Sequence, residues 1–178
     1  MDFRDIKEFF KDSFKFIIII VVVLVINLYI FTLQQVVGPS MNFTLENNNI
    51  VILDRVTYKI SDIKREDIVA LNDTNSKFLI QRVIGLPGEH IYFIDNTLYI
   101  NDVKREEPYL GKDTITHDFK LENLGHNKIP EDMYLVLGDN RTNSLDSRDP
   151  KVGLVSKKDI IGKVRLRVWP INKFKIVK

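Results

Sequence analysis

The chain is 178 residues long, with 26 Lys and Arg against 24 Asp and Glu for a net charge of +2, room for one modest domain plus an anchor or tail. So even a balance, with no reader motif, argues against nucleic acid as a partner. The absence of cysteine excludes disulfides, thiol catalysis and cysteine-bound metal, and with no phosphate-cradling loop or cofactor motif, no cofactor is expected.

The first element is Phe16–Leu33, eighteen residues without a charge, which as a helix spans ~27 Å and reads as a transmembrane anchor. Gln34-Gln35-Val36-Val37 offers no small-x-small cleavage pattern after it, so the anchor is expected to stay attached. Arg4, Lys7, Lys11 and Lys15 precede the run and no Lys or Arg follows before Arg55. That asymmetry puts residues 1–15 in the cytoplasm, residues 16–33 across the bilayer and residues 34–178 outside, a single pass through the cell membrane. Asn27 reads as a tolerated or helix-pairing polar residue in the span.

Beyond the anchor the period changes to that of a mostly β domain of antiparallel sheets. Asn49–Leu53, Ile68–Leu71, Phe78–Ile84, His90–Ile94, Thr97–Ile100, Met133–Leu137 and Ile160–Val168 are short, rich in Ile, Val, Tyr and Phe, and punctuated by Gly, Pro, Asn and Asp. Asp95-Asn96 reads as a hairpin turn, since both residues tolerate positive φ. Residues 103–131 are polar with weak periodicity and read as an insertion or loop. Lys157-Lys158-Asp159 reads as a short helical turn before the last strand. The C-terminal stretch from Lys157 holds eight basic residues and one acid; it reads as a solvated face able to meet anionic headgroups. His90, His117 and His126 lack metal-ligand spacing.

Three segments carry candidate chemistry. The first is Gly38-Pro39-Ser40-Met41, in which Gly38 lets the backbone turn and Pro39 fixes it just before a serine hydroxyl at the membrane surface. The second is Gln81-Arg82-Val83-Ile84-Gly85-Leu86-Pro87-Gly88-Glu89, a strand ending in a turn. The third is Gly138-Asp139-Asn140-Arg141-Thr142-Asn143-Ser144-Leu145-Asp146-Ser147-Arg148, where an Asp146–Arg148 ion pair would pin the loop and Ser144 would orient a neighbouring polar group.

In this order the segments resemble the bacterial type I signal peptidases, as do the closing Ile161-Gly162-Lys163 and Arg167-Val168-Trp169-Pro170. The resemblance implies a serine endopeptidase of the Ser/Lys type that removes signal peptides from exported preproteins, acting as a monomer with the bilayer and signal peptides as its partners. It makes Ser40 the nucleophile, with its N–H and a backbone group of Gly38 serving the oxyanion. Arg82 is the arginine of the strand segment, Ser144 the residue that orients the base, and Asp146 with Arg148 the supporting ion pair.

The base itself is missing. The family's lysine immediately precedes the strand-segment arginine, and that position is Gln81. A lysine works there because burial lowers its pKa, and alternation puts Gln81 on an apolar face with Leu79 and Val83. An amide can hydrogen-bond Ser40 but cannot take its proton. Lys77 is on the same face but roughly 13 Å along the strand, beyond reach. A second departure is Phe43, where the family commonly has proline; Met41, Phe43 and Leu45 are read as a rim that dips into lipid. Two readings follow: a membrane-bound type I signal peptidase, or a catalytically inactive homologue acting as a membrane-bound binding or assembly factor.

Overall fold

The computed structural model describes residues 3–25, 29–72 and 78–177; Asn27 and Lys77 lie outside the described residues. The chain opens with α1 (Phe3–Val25), whose apolar side chains from Phe16 to Val25 are all exposed. The helix does not continue through Leu33. Phe31–Gln35 forms β1 and pairs antiparallel with β2 (Ile50–Asp54), from Phe31 opposite Asp54 to Gln35 opposite Ile50. The expected span of residues 16–33 is corrected at its outer end, because Phe-Thr-Leu-Gln-Gln alternates with period two and the edge of β2 satisfies its backbone. Among the described residues no helix is long and apolar enough to cross a membrane.

After β2 come a single turn of helix, α2 (Thr57–Ile60), then β3 (Ile68–Asn72) and β4 (Phe78–Gly85). β5 (Ile91–Ile94) and β6 (Thr97–Ile100) form the hairpin expected at Asp95-Asn96, with φ of +48° and +60° at those residues. β7 (Val103–Arg105) and β8 (Phe119–Lys120) follow, then β9 (Met133–Leu137), β10 (Val155–Ser156), β11 (Ile160–Trp169) and β12 (Lys175–Ile176). A 3-10 turn at Lys157–Asp159 leads into β11, as expected.

The strands build two antiparallel sheets. The larger runs β1-β2-β11-β3-β4-β9-β10, with β12 beside β11; the smaller runs β7-β6-β5-β8. The stretch of residues 103–131 is therefore more than a polar loop. It supplies both edges of the smaller sheet, and Phe119, Leu121 and Ile129 are buried with Ile91, Phe93 and Leu135 in one core cluster. Its apolar residues are too widely spaced to show a period, yet these three reach the core from short strands and turns.

β4 lies at the centre of the larger sheet, between β3 and β9. Gln81 is paired with Val69 of β3, and Arg82 with both Ile68 and Leu137. Paired residues share a sheet face, so Gln81 stands beside Val69 and, by alternation, Leu79 and Val83, which belong to one apolar cluster. β9 runs into the loop beginning at Gly138, which brings the third motif segment to the end of β4.

Candidate active site

Ser40 is half-buried in a turn that the backbone around it explains. Gly38 has φ of +89°, a left-handed conformation that glycine adopts freely. Beyond Ser40 the chain makes a helical turn, with the N–H groups of Thr44 and Leu45 both bonded to the Met41 carbonyl, at 3.1 and 2.7 Å. That turn puts Met41 and Leu45 on one side and Phe43 on the other.

The expected lipid-facing rim is corrected accordingly. Met41 and Leu45 are fully buried in a cluster with Val36, Val51, Leu53 and Val164, where each removes a large apolar side chain from water. Phe43 alone is exposed, at 69 %. Its φ of +83° is one that a bulky residue rarely takes and that proline, held near −65°, cannot take. The departure from the family's proline is thus a change of backbone as well as of side chain.

Asn140 ties this segment to the third motif. Its N–H donates to the Ser40 carbonyl at 2.9 Å and its side-chain amide to the Pro39 carbonyl at 3.1 Å. Gly138 sits against both Ser40 and Ser144, and a β-carbon there would fall well inside contact distance of the Ser40 carbonyl oxygen and the Ser144 hydroxyl. Only glycine lets the loop approach so closely. The Gly38 N–H, expected to serve an oxyanion, donates instead to Asn47 Oδ1 at 3.0 Å, so it must leave that bond before it serves a substrate.

Gln81 is completely buried. Its Nε2 donates to the Leu145 carbonyl at 2.8 Å, while its Oε1 and the Ser144 hydroxyl are both buried without a hydrogen-bond partner among the described residues. The hydrogen bond to Ser40 that an amide could make is not formed. The pocket at position 81 thus offers its donor the Leu145 carbonyl, while Ser144, the residue before it, keeps its hydroxyl unspent.

Behind this pocket is a buried charge network. Arg82 bonds Asp139 with two parallel contacts, Nε to Oδ1 at 2.9 Å and Nη2 to Oδ2 at 2.7 Å, both groups being fully buried. Asp139 also accepts from the Thr44 hydroxyl, so one carboxylate joins β4, the loop and the serine segment. The expected Asp146–Arg148 pair is present, at 2.8 and 2.9 Å, and Asp146 also takes the Gly138 N–H at 3.1 Å. Asp139 and Thr44 were not singled out from the sequence. The Gly-Asp-Asn-Arg run marked Asp139 as polar and placed, but only the fold reveals Arg82 opposite it. Among the described residues no group of three or more His, Asp or Glu side chains has metal-binding geometry.

This is a serine on a pinned turn, packed through Gly138 against the loop that also receives the buried Gln81, an arrangement that suits acyl transfer once a base stands at position 81. Comparison with known proteins agrees. The family model described as "Signal peptidase, peptidase S26" matches residues 7–169. Signal peptidase I of Bacillus caldolyticus is 37% identical over 176 residues, 94% of this chain and 96% of that protein. Signal peptidase IB of Staphylococcus aureus strain COL is 34% identical over 181 residues, 95% of this chain and 94% of that protein. A crystal structure of a signal peptidase I from Enterococcus faecalis V583 superposes with a TM-score of 0.52 at 39% identity, covering 58% of this chain and 97% of that one. Near-full-length matches of this kind, joined to the site's geometry, show that the chain belongs to the signal peptidase family, peptidase S26.

Proposed function

We propose that this chain is a membrane-bound signal peptidase homologue that receives the cleavage region of exported preproteins at Ser40 but turns it over only at a background rate. Its N-terminus is cytoplasmic, its β domain extracytoplasmic, and it works as a monomer against the bilayer. The charge asymmetry around the apolar run and the exposed apolar face of α1 support the membrane address.

The observation that carries the reading is the Gln81 amide, buried at the base position and bonded to the Leu145 carbonyl. Loss of one member of a nucleophile–base pair in a serine protease costs about 10⁴ to 10⁶ in rate, or about 5 to 8 kcal/mol of transition-state stabilisation. Binding does not require proton transfer, so recognition survives that loss. Ser40, Ser144, Gly138 and the Asp146–Arg148 pair then serve to shape a peptide site. The test is direct binding of a signal peptide with a small-x-small cleavage region to the full chain in detergent micelles, followed by product analysis. Saturable binding without product on the assay timescale supports the reading. Cleavage at an ordinary protease rate, abolished by Ser40→Ala, overturns it.

A further inference from the structure

One short segment outside the three motifs grips both buried arginines of the site. The Arg82 guanidinium carbon lies over the Tyr109 ring, 4.0 Å from its centroid. Glu107, two residues earlier, receives both terminal nitrogens of Arg141. The Tyr109 hydroxyl donates to Glu107 Oε1 at 2.6 Å, closing the contacts into one unit.

Among the described residues no other acid is bonded to Arg141. Its side chain is wholly buried and Glu107 nearly so; its remaining bonds go to the Gly138 carbonyl at 3.0 Å and the Thr116 hydroxyl at 3.1 Å. Burial opposes the Arg141 charge, but the hydrogen bond and negative charge of Glu107 outweigh it and hold the guanidinium charged. Burial, and then the charge of Glu107, push the Tyr109 hydroxyl upward, so it stays a neutral donor.

The consequences run to the reacting groups. Arg141 clamps the carbonyl of Gly138, the residue packed against Ser40 and Ser144. Its own carbonyl accepts from Arg148, which holds Asp146, which takes the Gly138 N–H. Arg82 is the neighbour of Gln81 on β4. Farther along the same segment, a β-carbon at Gly111 would meet the Phe43 ring at 3.6 Å, an ordinary packing distance.

We infer that Glu107 and Tyr109 form a positioning strap, which sets β4 and the loop of residues 138–148 against each other and so fixes where Ser40 and the group at position 81 meet. The inference rests on the reading of those two positions as nucleophile and base. A strap of this kind acts on the alignment of reacting atoms, where a shift of about 1 Å costs on the order of 100-fold in rate, rather than on affinity.

The experiment uses the full chain carrying Gln81→Lys, in micelles, with a cleavable signal peptide. Tyr109→Phe removes only the hydroxyl bond to Glu107 and leaves the ring on Arg82; it is expected to lower kcat about 10-fold with KM within about twofold and an unchanged melting temperature. Glu107→Gln is expected to lower kcat further, by on the order of 100-fold. An unchanged kcat in folded Tyr109→Phe, or a loss confined to KM, overturns the strap. If Gln81→Lys itself fails to cleave, the missing-base reading falls, and the strap is judged by hydrogen exchange on the otherwise unmodified chain. Tyr109→Phe should then speed exchange at residues 138–148 while leaving residues 50–54 and 160–169 unchanged; a uniform change or none overturns it.

Discussion

The completely buried side-chain amide of Gln81 and the carbonyl of Leu145 are joined by a 2.8 Å hydrogen bond. Among the described residues the Ser144 hydroxyl and the Gln81 oxygen are buried without partners, and such atoms are rare and costly in folded proteins. Position 81 spends its donor on the loop and leaves a carbonyl oxygen unpaired, an oxygen that a lysine there would not bring.

Gly138→Ala is expected to destabilise the domain by about 1 to 3 kcal/mol and to weaken signal-peptide binding. The added β-carbon would press on the Ser144 hydroxyl, which can rotate, and on the Ser40 carbonyl, which cannot move without breaking the Asn140 contacts. Urea denaturation with a parallel binding titration checks this. Equal stability and affinity in the variant would show that the loop does not approach Ser40 as closely as described.

Phe43 offers a test of backbone shape. At φ of +83°, glycine relieves strain on the order of 1 kcal/mol, offset in part by the lost contact with Gly111, whereas proline cannot be accommodated at all. Phe43→Gly should match or exceed the parent in thermal stability, and Phe43→Pro should fall well below it. A tolerated proline would mean that the segment follows the family's usual backbone.

Asp54 predicts how stability depends on acid. Burial opposes its ionisation, but the hydrogen bonds from the Thr57 side chain and backbone, the Val56 backbone and Arg165 together outweigh that and hold its pKa below the ordinary carboxylate value. A carboxylate depressed in the folded state contributes stability above its unfolded pKa, near 3.9, that is lost as pH falls through the lower folded value. The parent should therefore lose stability faster than Asp54→Asn below about pH 4, the two curves converging in strong acid. Parallel curves between pH 7 and pH 2 would contradict the assignment.

How much of this was legible in the sequence depended on the range of the interaction. β2, β3, β4, β5, β6, β9 and β11 were visible because each is a short run rich in Ile, Val, Tyr and Phe with turn residues near its ends. β1 was hidden inside a charge-free run, where length spoke for a helix and only the alternation of Thr32 and Gln34 spoke for a strand. β7 and β8 are three and two residues long, too short to carry a period. Position 81 was legible because its neighbours Arg82 to Glu89 mark it, and so was the Asp146–Arg148 pair, two residues apart. Arg82 with Asp139, and Arg141 with Glu107, lie 57 and 34 residues apart; nothing local in the chain announces such partners.

The central claim is that the site lacks only its base. Gln81→Lys puts an amine at a completely buried position, where desolvation lowers its pKa toward a neutral, proton-accepting form, with the Leu145 carbonyl that now accepts from Gln81 available to receive one of its hydrogens. The decisive measurement is the cleavage rate of one preprotein by the parent chain, Gln81→Lys, and Gln81→Lys with Ser40→Ala. The account predicts a rate increase of at least about 10³-fold for Gln81→Lys, abolished by Ser40→Ala. A parent chain that already cleaves at the rate of Gln81→Lys, through Ser40, would contradict it.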